Sequence, residues 1–213
     1  ALTNRALDHI GEARNLYDYA VKVEGKGRTE DDLAYLRTER HFVNTLLTEQ
    51  PNGDYAHTIA RSFLFDAYHL PLAEALTKSS DTQIAAIAAK AVKEAQYHLK
   101  HSSDWLIRFG DGTEESHRRA QEALDGLWVY TGELFVQDEV HQAMVKAGIA
   151  PDLNTIKASF DATVERVLAE ATLKRPADAY MMSGGRQGKH SEHLGFLLAE
   201  MQYLQRAYPG AQW

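Results

Sequence analysis

Residues 82–108 run without a glycine or proline between two strong breaks, Ser80-Asp81-Thr82-Gln83 and Phe109-Gly110-Asp111-Gly112. Within them Ile84, Ile87, Ala91, Ala95, His98, Ser102 and Trp105 recur three or four residues apart, the period of one face of an α-helix. The Ser-Asp-Thr-Gln start is a capping-box pattern that opens a helix. A helix of this length needs other helices to cover its stripe, which points to an all-α bundle.

The other segments read the same way. Residues 2–24 carry an apolar stripe at Ala6, Ile10, Ala13, Tyr17 and Ala20 that ends at the Gly25-Lys26-Gly27 turn. Thr29, Glu30 and Asp31 give an acidic start to a second helix reaching about Glu49. Pro51-Asn52-Gly53-Asp54 is a break that supplies a cap for a third, 54–78, with Pro71 kinking it. Further helices are expected over 114–135, 138–146 and 151–173, with Pro151 in the first turn of the last of these, and over 190–207. No strand-like alternation of useful length appears. Residues 174–189 read as a long loop. Its Gly184-Gly185-Arg186-Gln187-Gly188-Lys189 tip resembles a phosphate loop only superficially, since no strand precedes it and Lys-Ser/Thr is missing, so a surface loop with a basic tip is expected.

Composition narrows the functional classes. A net charge of −7 removes electrostatic support for nucleic-acid binding. Absence of cysteine excludes disulfides, thiolate catalysis and cysteine-ligated metal, and suits the cytoplasm. No run reaches the length of a membrane span, and the first residues lack a signal-peptide pattern. At 213 residues the chain is expected to form a single helical domain, residues 1–213.

The ionisable residues on inward faces carry the chemistry. Two helices of a carboxylate-bridged di-iron bundle each present Glu-x-x-His, because positions three apart project to one shared metal. Here His98 holds its place on the stripe, but Ala95 stands where the glutamate would be, and Glu94 points roughly a hundred degrees away. Asp66 lies on the stripe Ile59, Phe63, Asp66, Leu70, Ala73, where a carboxylate needs a donor, a counter-charge or a metal. A pair with His98 on the next antiparallel helix would satisfy both. His9 and Glu12 have ligand spacing in reversed order. Glu39 and His41, about two hundred degrees apart on a helix, share no site, and His190 and His193 read as a solvated helix end. The expected role of His9, Glu12, Asp66 and His98, with Ala95 among them, is a buried polar network in a vestigial metal position.

Several segments also resemble a family. Thr38-Glu39-Arg40-His41-Phe42-Val43-Asn44-Thr45-Leu46-Leu47-Thr48-Glu49-Gln50-Pro51-Asn52-Gly53, Phe65-Asp66-Ala67-Tyr68-His69, Ala89–Leu99 and Glu192-His193-Leu194-Gly195 are similar to the C subunits of bacterial phenylacetyl-CoA epoxidases (monooxygenases). The resemblance implies a ferritin-like bundle with additional C-terminal helices, and family members begin with a further helical segment ahead of the position of Ala1. It implies a structural subunit without a metal cofactor of its own, paired with a homologous catalytic A subunit. That partner carries the di-iron centre that epoxidises the ring of phenylacetyl-CoA in phenylacetate degradation, with electrons delivered from NADPH by a reductase. It further implies substrate contact at the subunit boundary through His41, Phe42, Val43 and Asn44, and through Gln142, Ala143 and Met144. The alternatives are a ferritin-like di-metal oxidoreductase active in its own right, and a helical interaction protein outside aromatic degradation.

Overall fold

The computed structural model describes residues 1–211, and among them every regular element is helical. The α-helices are α1 (Leu2–Glu24), α2 (Tyr55–Leu76), α3 (Thr82–Gly110), α4 (Glu114–Trp128), α5 (Glu139–Lys146), α6 (Leu153–Glu170), α7 (Glu192–Met201) and α8 (Tyr203–Ala207). The contacts divide the chain into two compact units, 51–182 and 1–50 with 183–213.

The unit spanning 51–182 is a helical bundle of the ferritin-like type. Helix α2 packs chiefly along α3 and also against α4 and α6, while α3 meets α4 and α6. Ile59, Phe63, Leu64, Leu106, Leu124, Leu127, Phe160 and Val164 are the centre of its core, each almost wholly buried. Local chemistry sets the helix ends. Asp54 caps α2 by accepting from the His57 N–H, and Asp81 caps α3 by accepting from the N–H groups of Gln83 and Ile84. Thr113 and Ser116 form a reciprocal capping box on α4, and Asp152 caps α6. Pro151 therefore lies before the cap and not in the first turn. Gly110 allows α3 to end against another backbone: a Cβ there would overlap the carbonyl of Ala171. Helix α4 stops at Trp128, short of the expected 135. Thr131, Gly132 and Glu133 continue as a 3-10 turn, Gly132–Phe135, in which the Thr131 hydroxyl takes the Trp128 carbonyl.

The other unit departs further from expectation. No α-helix spans 29–49. A short π-helical turn, Asp32–Leu36, and two 3-10 turns, Glu39–His41 and Leu46–Glu49, replace it. Side chains from the C-terminal helices take the carbonyls that such a helix would use. Gln202 donates to Ala34 O and Arg37 O at 3.0 Å, and Arg206 donates to Arg37 O at 3.0 Å. The stripe on α1 is also placed otherwise than its apolar character suggests. Ala6, Ile10, Ala13 and Ala20 are exposed and Tyr17 is half-buried, while Arg5 and Val21 are the buried residues.

Candidate functional site

Helix α3 presents the stripe that its sequence encodes. Ile87, Ala91, Ala95, His98 and Ser102 are all buried, with Ala95 at 1% and His98 at 2% exposure. Toward the C-terminal end Leu106 takes the inner position, and Trp105 is half-buried, packing edge-on against Tyr55. On α2, Ile59, Phe63, Asp66 and Ala73 are buried. The carboxylate of Asp66 and the imidazole of His98 lie within 4.8 Å of each other. Ser102, one turn beyond His98, donates its hydroxyl to Asp66 Oδ2 at 2.7 Å. That hydroxyl lies also 3.0 Å from the His98 carbonyl. Ser102 stood on the predicted stripe, but nothing in the spacing marked it as the donor that Asp66 needs.

A dinuclear centre of the bundle type takes four carboxylates and two histidines. On α2 and α3 the carboxylate of Asp66 and the imidazole of His98 lie within ligand distance of each other, His69 is buried one turn beyond Asp66, and Ala95, one turn before His98, brings a buried methyl where Glu-x-x-His would bring a carboxylate. With one carboxylate among them, these residues of α2 and α3 fall short of the four that a di-iron centre takes. In the other unit, His9 Nδ1 and Glu12 Oε2 on α1 are 3.9 Å apart, both side chains partly exposed.

The candidate substrate residues fall in two places. Gln142, Ala143 and Met144 are exposed on α5, a helix with no buried residue, where Gln142 Nε2 reaches back to the Gln137 carbonyl at 3.1 Å. His41 ends the first 3-10 turn, and Phe42, Val43 and Asn44 follow in extended backbone before the second. His41 and Val43 are exposed, whereas Phe42 and Asn44 are half-buried. The Arg37 guanidinium stacks 4.3 Å over the Phe42 ring and donates to the Tyr17 hydroxyl at 2.9 Å.

A buried acid lies directly below this segment. Glu49, 4% exposed, accepts from Asn44 Nδ2 at 2.8 Å, from the Ser191 N–H at 2.8 Å and from the Ser191 hydroxyl at 2.7 Å. His190 Nδ1 meets it at 2.5 Å, and His190 Nε2 lies 2.9 Å from the Phe42 carbonyl. A carbonyl only accepts, so the contact to the Phe42 carbonyl is one in which Nε2 donates. His190 is thus no solvated helix end, since its side chain is 6% exposed. The loop of residues 184–189 lies only partly at the surface, with Gln187 and Lys189 exposed. Gly184 and Gly185 are buried, and a Cβ on Gly185 would overlap the Asn44 carbonyl. Sequence reasoning missed Glu49, which it placed at the end of a helix, and gave His190 the wrong surroundings. The glycine pair was the available signal, because close backbone approach is one of the few reasons for adjacent glycines.

Comparison with known proteins agrees with this architecture. The chain is 50% identical over all 213 residues to the C subunit of the 1,2-phenylacetyl-CoA epoxidase of Escherichia coli (strain K12), and covers 86% of that protein. Among the described residues no helix is long and apolar enough to cross a membrane. A family model described as "Phenylacetic acid catabolic protein" matches residues 1–213, and the chain belongs to that family.

Proposed function

We propose that this chain is a structural, non-catalytic subunit of a multicomponent di-iron oxygenase that epoxidises the aromatic ring of phenylacetyl-CoA. Its role is to support a homologous catalytic subunit that holds the metal, in the cytoplasm, with a reductase supplying electrons. The observation that carries this reading is the wholly buried Ala95 one turn before His98, a methyl group on the face where a metal-binding carboxylate would project. The name of the E. coli relative, one subunit of an epoxidase, supports the same assignment.

Two surface features favour a partner. Leu7, Ile10 and Val23 of α1 are each more than 60% exposed, and Leu2 and Leu16 more than 40%. We read this apolar surface of α1 as surface that a partner covers. His41 and Val43 present exposed side chains that can meet phenylacetyl-CoA where the partner contributes the rest of a site, and Gln142 to Met144 are likewise exposed on α5.

The test is omission. The catalytic subunit and reductase are assayed for oxygen-dependent consumption of phenylacetyl-CoA with NADPH, with and without this chain. Turnover only in its presence is expected, and full turnover by the catalytic subunit alone would sink the proposal. The second reading, an independent di-metal oxidoreductase, draws on the Asp66–His98 proximity. It requires the chain alone to bind metal and reduce oxygen.

A further inference from the structure

The loop of residues 184–191 is built around the segment that precedes α2 in its own unit, and two independent observations show it. The first is the closeness of backbone to backbone. A Cβ at Gly185 would overlap Asn44 O and lie 3.2 Å from Leu46 N, and one at Gly188 would lie 3.0 Å from Arg40 O. Gly188 also holds a φ of 75°, a left-handed conformation that other residues rarely adopt. The second is the polar network. Through Glu49 and His190 the loop grips Asn44 by its amide and Phe42 by its carbonyl, while Ser191 holds Glu49 from below. Four groups converge on one buried carboxylate, and the residues it joins are 141 positions apart. A loop needed only to connect two helices requires neither the glycines nor the buried acid.

We infer that Glu49, His190 and Gly185 are positioning residues, which fix Phe42–Asn44 in the conformation that meets phenylacetyl-CoA. This rests on the functional reading given above, and gives that reading a mechanism: the segment is extended and partly exposed, so its shape is set from behind. Its own backbone contributes little, since Phe42 N donates to Glu39 O at the end of a short turn and Val43 continues outward. Glu49→Gln disturbs the grip whichever way the amide is turned. In one orientation an NH2 group faces Asn44 Nδ2, and in the other it faces the Ser191 N–H. Gly185→Ala displaces Asn44 and leaves the Glu49–His190 pair chemically intact. Misplacement of a substrate-contacting segment weakens binding without changing chemistry at a metal held elsewhere.

The experiment uses the complex of this chain with the catalytic oxygenase subunit. Steady-state kinetics are measured for the wild type, Glu49→Gln, Gly185→Ala and the control Gly126→Ala, whose added Cβ meets nothing within 4 Å. Both positioning variants are expected to raise KM for phenylacetyl-CoA about tenfold, a change of about 1.4 kcal/mol, with kcat and the control unchanged. In parallel, hydrogen exchange at the amides of Phe42–Asn44 is followed in the wild-type complex on adding phenylacetyl-CoA without reductant, and slower exchange is expected. This arm decides the matter if either variant fails to fold. Unchanged KM in both folded variants, or unchanged exchange in a complex that does bind phenylacetyl-CoA, overturns the inference and leaves the structural-subunit reading standing. Failure of the two subunits to form a complex overturns both.

Discussion

Ala95→Glu restores the residue that a metal site would need, and its cost follows from the structure. Ala95 is 1% exposed, on the same face of α3 as buried His98. The longer side chain overfills a packed position, at about 1–3 kcal/mol. Burial disfavours a negative charge, so the introduced carboxyl is raised above the unfolded value of about 4.3. A group raised in the folded state binds its proton more tightly in native protein than in the unfolded chain. Stability is therefore lost as pH rises above the unfolded value, at about 1.4 kcal/mol per pH unit, until the folded-state group itself ionises. If that happens only above pH 7, the electrostatic cost at neutrality is (7.0 − 4.3) × 1.36, about 4 kcal/mol. Against a typical folding stability of about 5–15 kcal/mol this is a large fraction. Urea titrations between pH 5 and pH 8, in chelator, measure it. The expected result is a variant weaker than wild type at every pH, with the gap widening toward pH 8. A gap that stays constant with pH, or vanishes, would refute the placement of this position in a dry core.

Other consequences concern the same bundle. Ser102→Ala removes the 2.7 Å donor to Asp66 and should cost about 1–3 kcal/mol in denaturant unfolding, whereas a loss below 0.5 kcal/mol, roughly that of a surface substitution, would show that Asp66 does not depend on it. Gly110→Ala drives a methyl into the Ala171 carbonyl, so a fall of about 1–3 kcal/mol is expected, and unchanged stability would contradict that close approach. The Asp54 carboxyl is held below the ordinary carboxylate value, first by the His57 N–H it caps and then by Arg119. With the folded value depressed, its contribution is complete above the unfolded value near 3.9 and is lost as pH falls through the folded one. Asp54→Asn keeps the cap without the charge, and should therefore flatten the stability profile below about pH 4. An acid limb of the same slope as wild type would show that the capping charge does not matter.

The bundle was legible in the sequence because local signals and tertiary demand agree there. Breaks at Pro51–Asp54, Ser80–Thr82 and Phe109–Gly112 coincide with caps whose side chains take the first free N–H groups, and α2, α3 and α5 lie close to their expected limits. The burial and proximity of Asp66 and His98 were legible for the same reason, since both fall on regular stripes. Residues 29–49 were not. Their acidic start is a sound helix signal, but Gln202, Arg206 and His190, more than 140 positions away, occupy the carbonyls of Ala34, Arg37 and Phe42. A helix there would forfeit those bonds, and no local pattern encodes them. The exposed apolar face of α1 shows the converse, in which the stripe is real but periodicity does not say what covers it. Glu49 was hidden by the same circumstance, because its burial depends on a loop at the other end of the chain.

Iron content tests the central claim most directly. The chain is expressed alone in iron-supplemented medium, purified without chelator, and analysed for iron per polypeptide. The account predicts a value near zero, because Ala95 puts a buried methyl where Glu-x-x-His would put a carboxylate. A value near two irons per chain would contradict it and would make this subunit a metal centre in its own right.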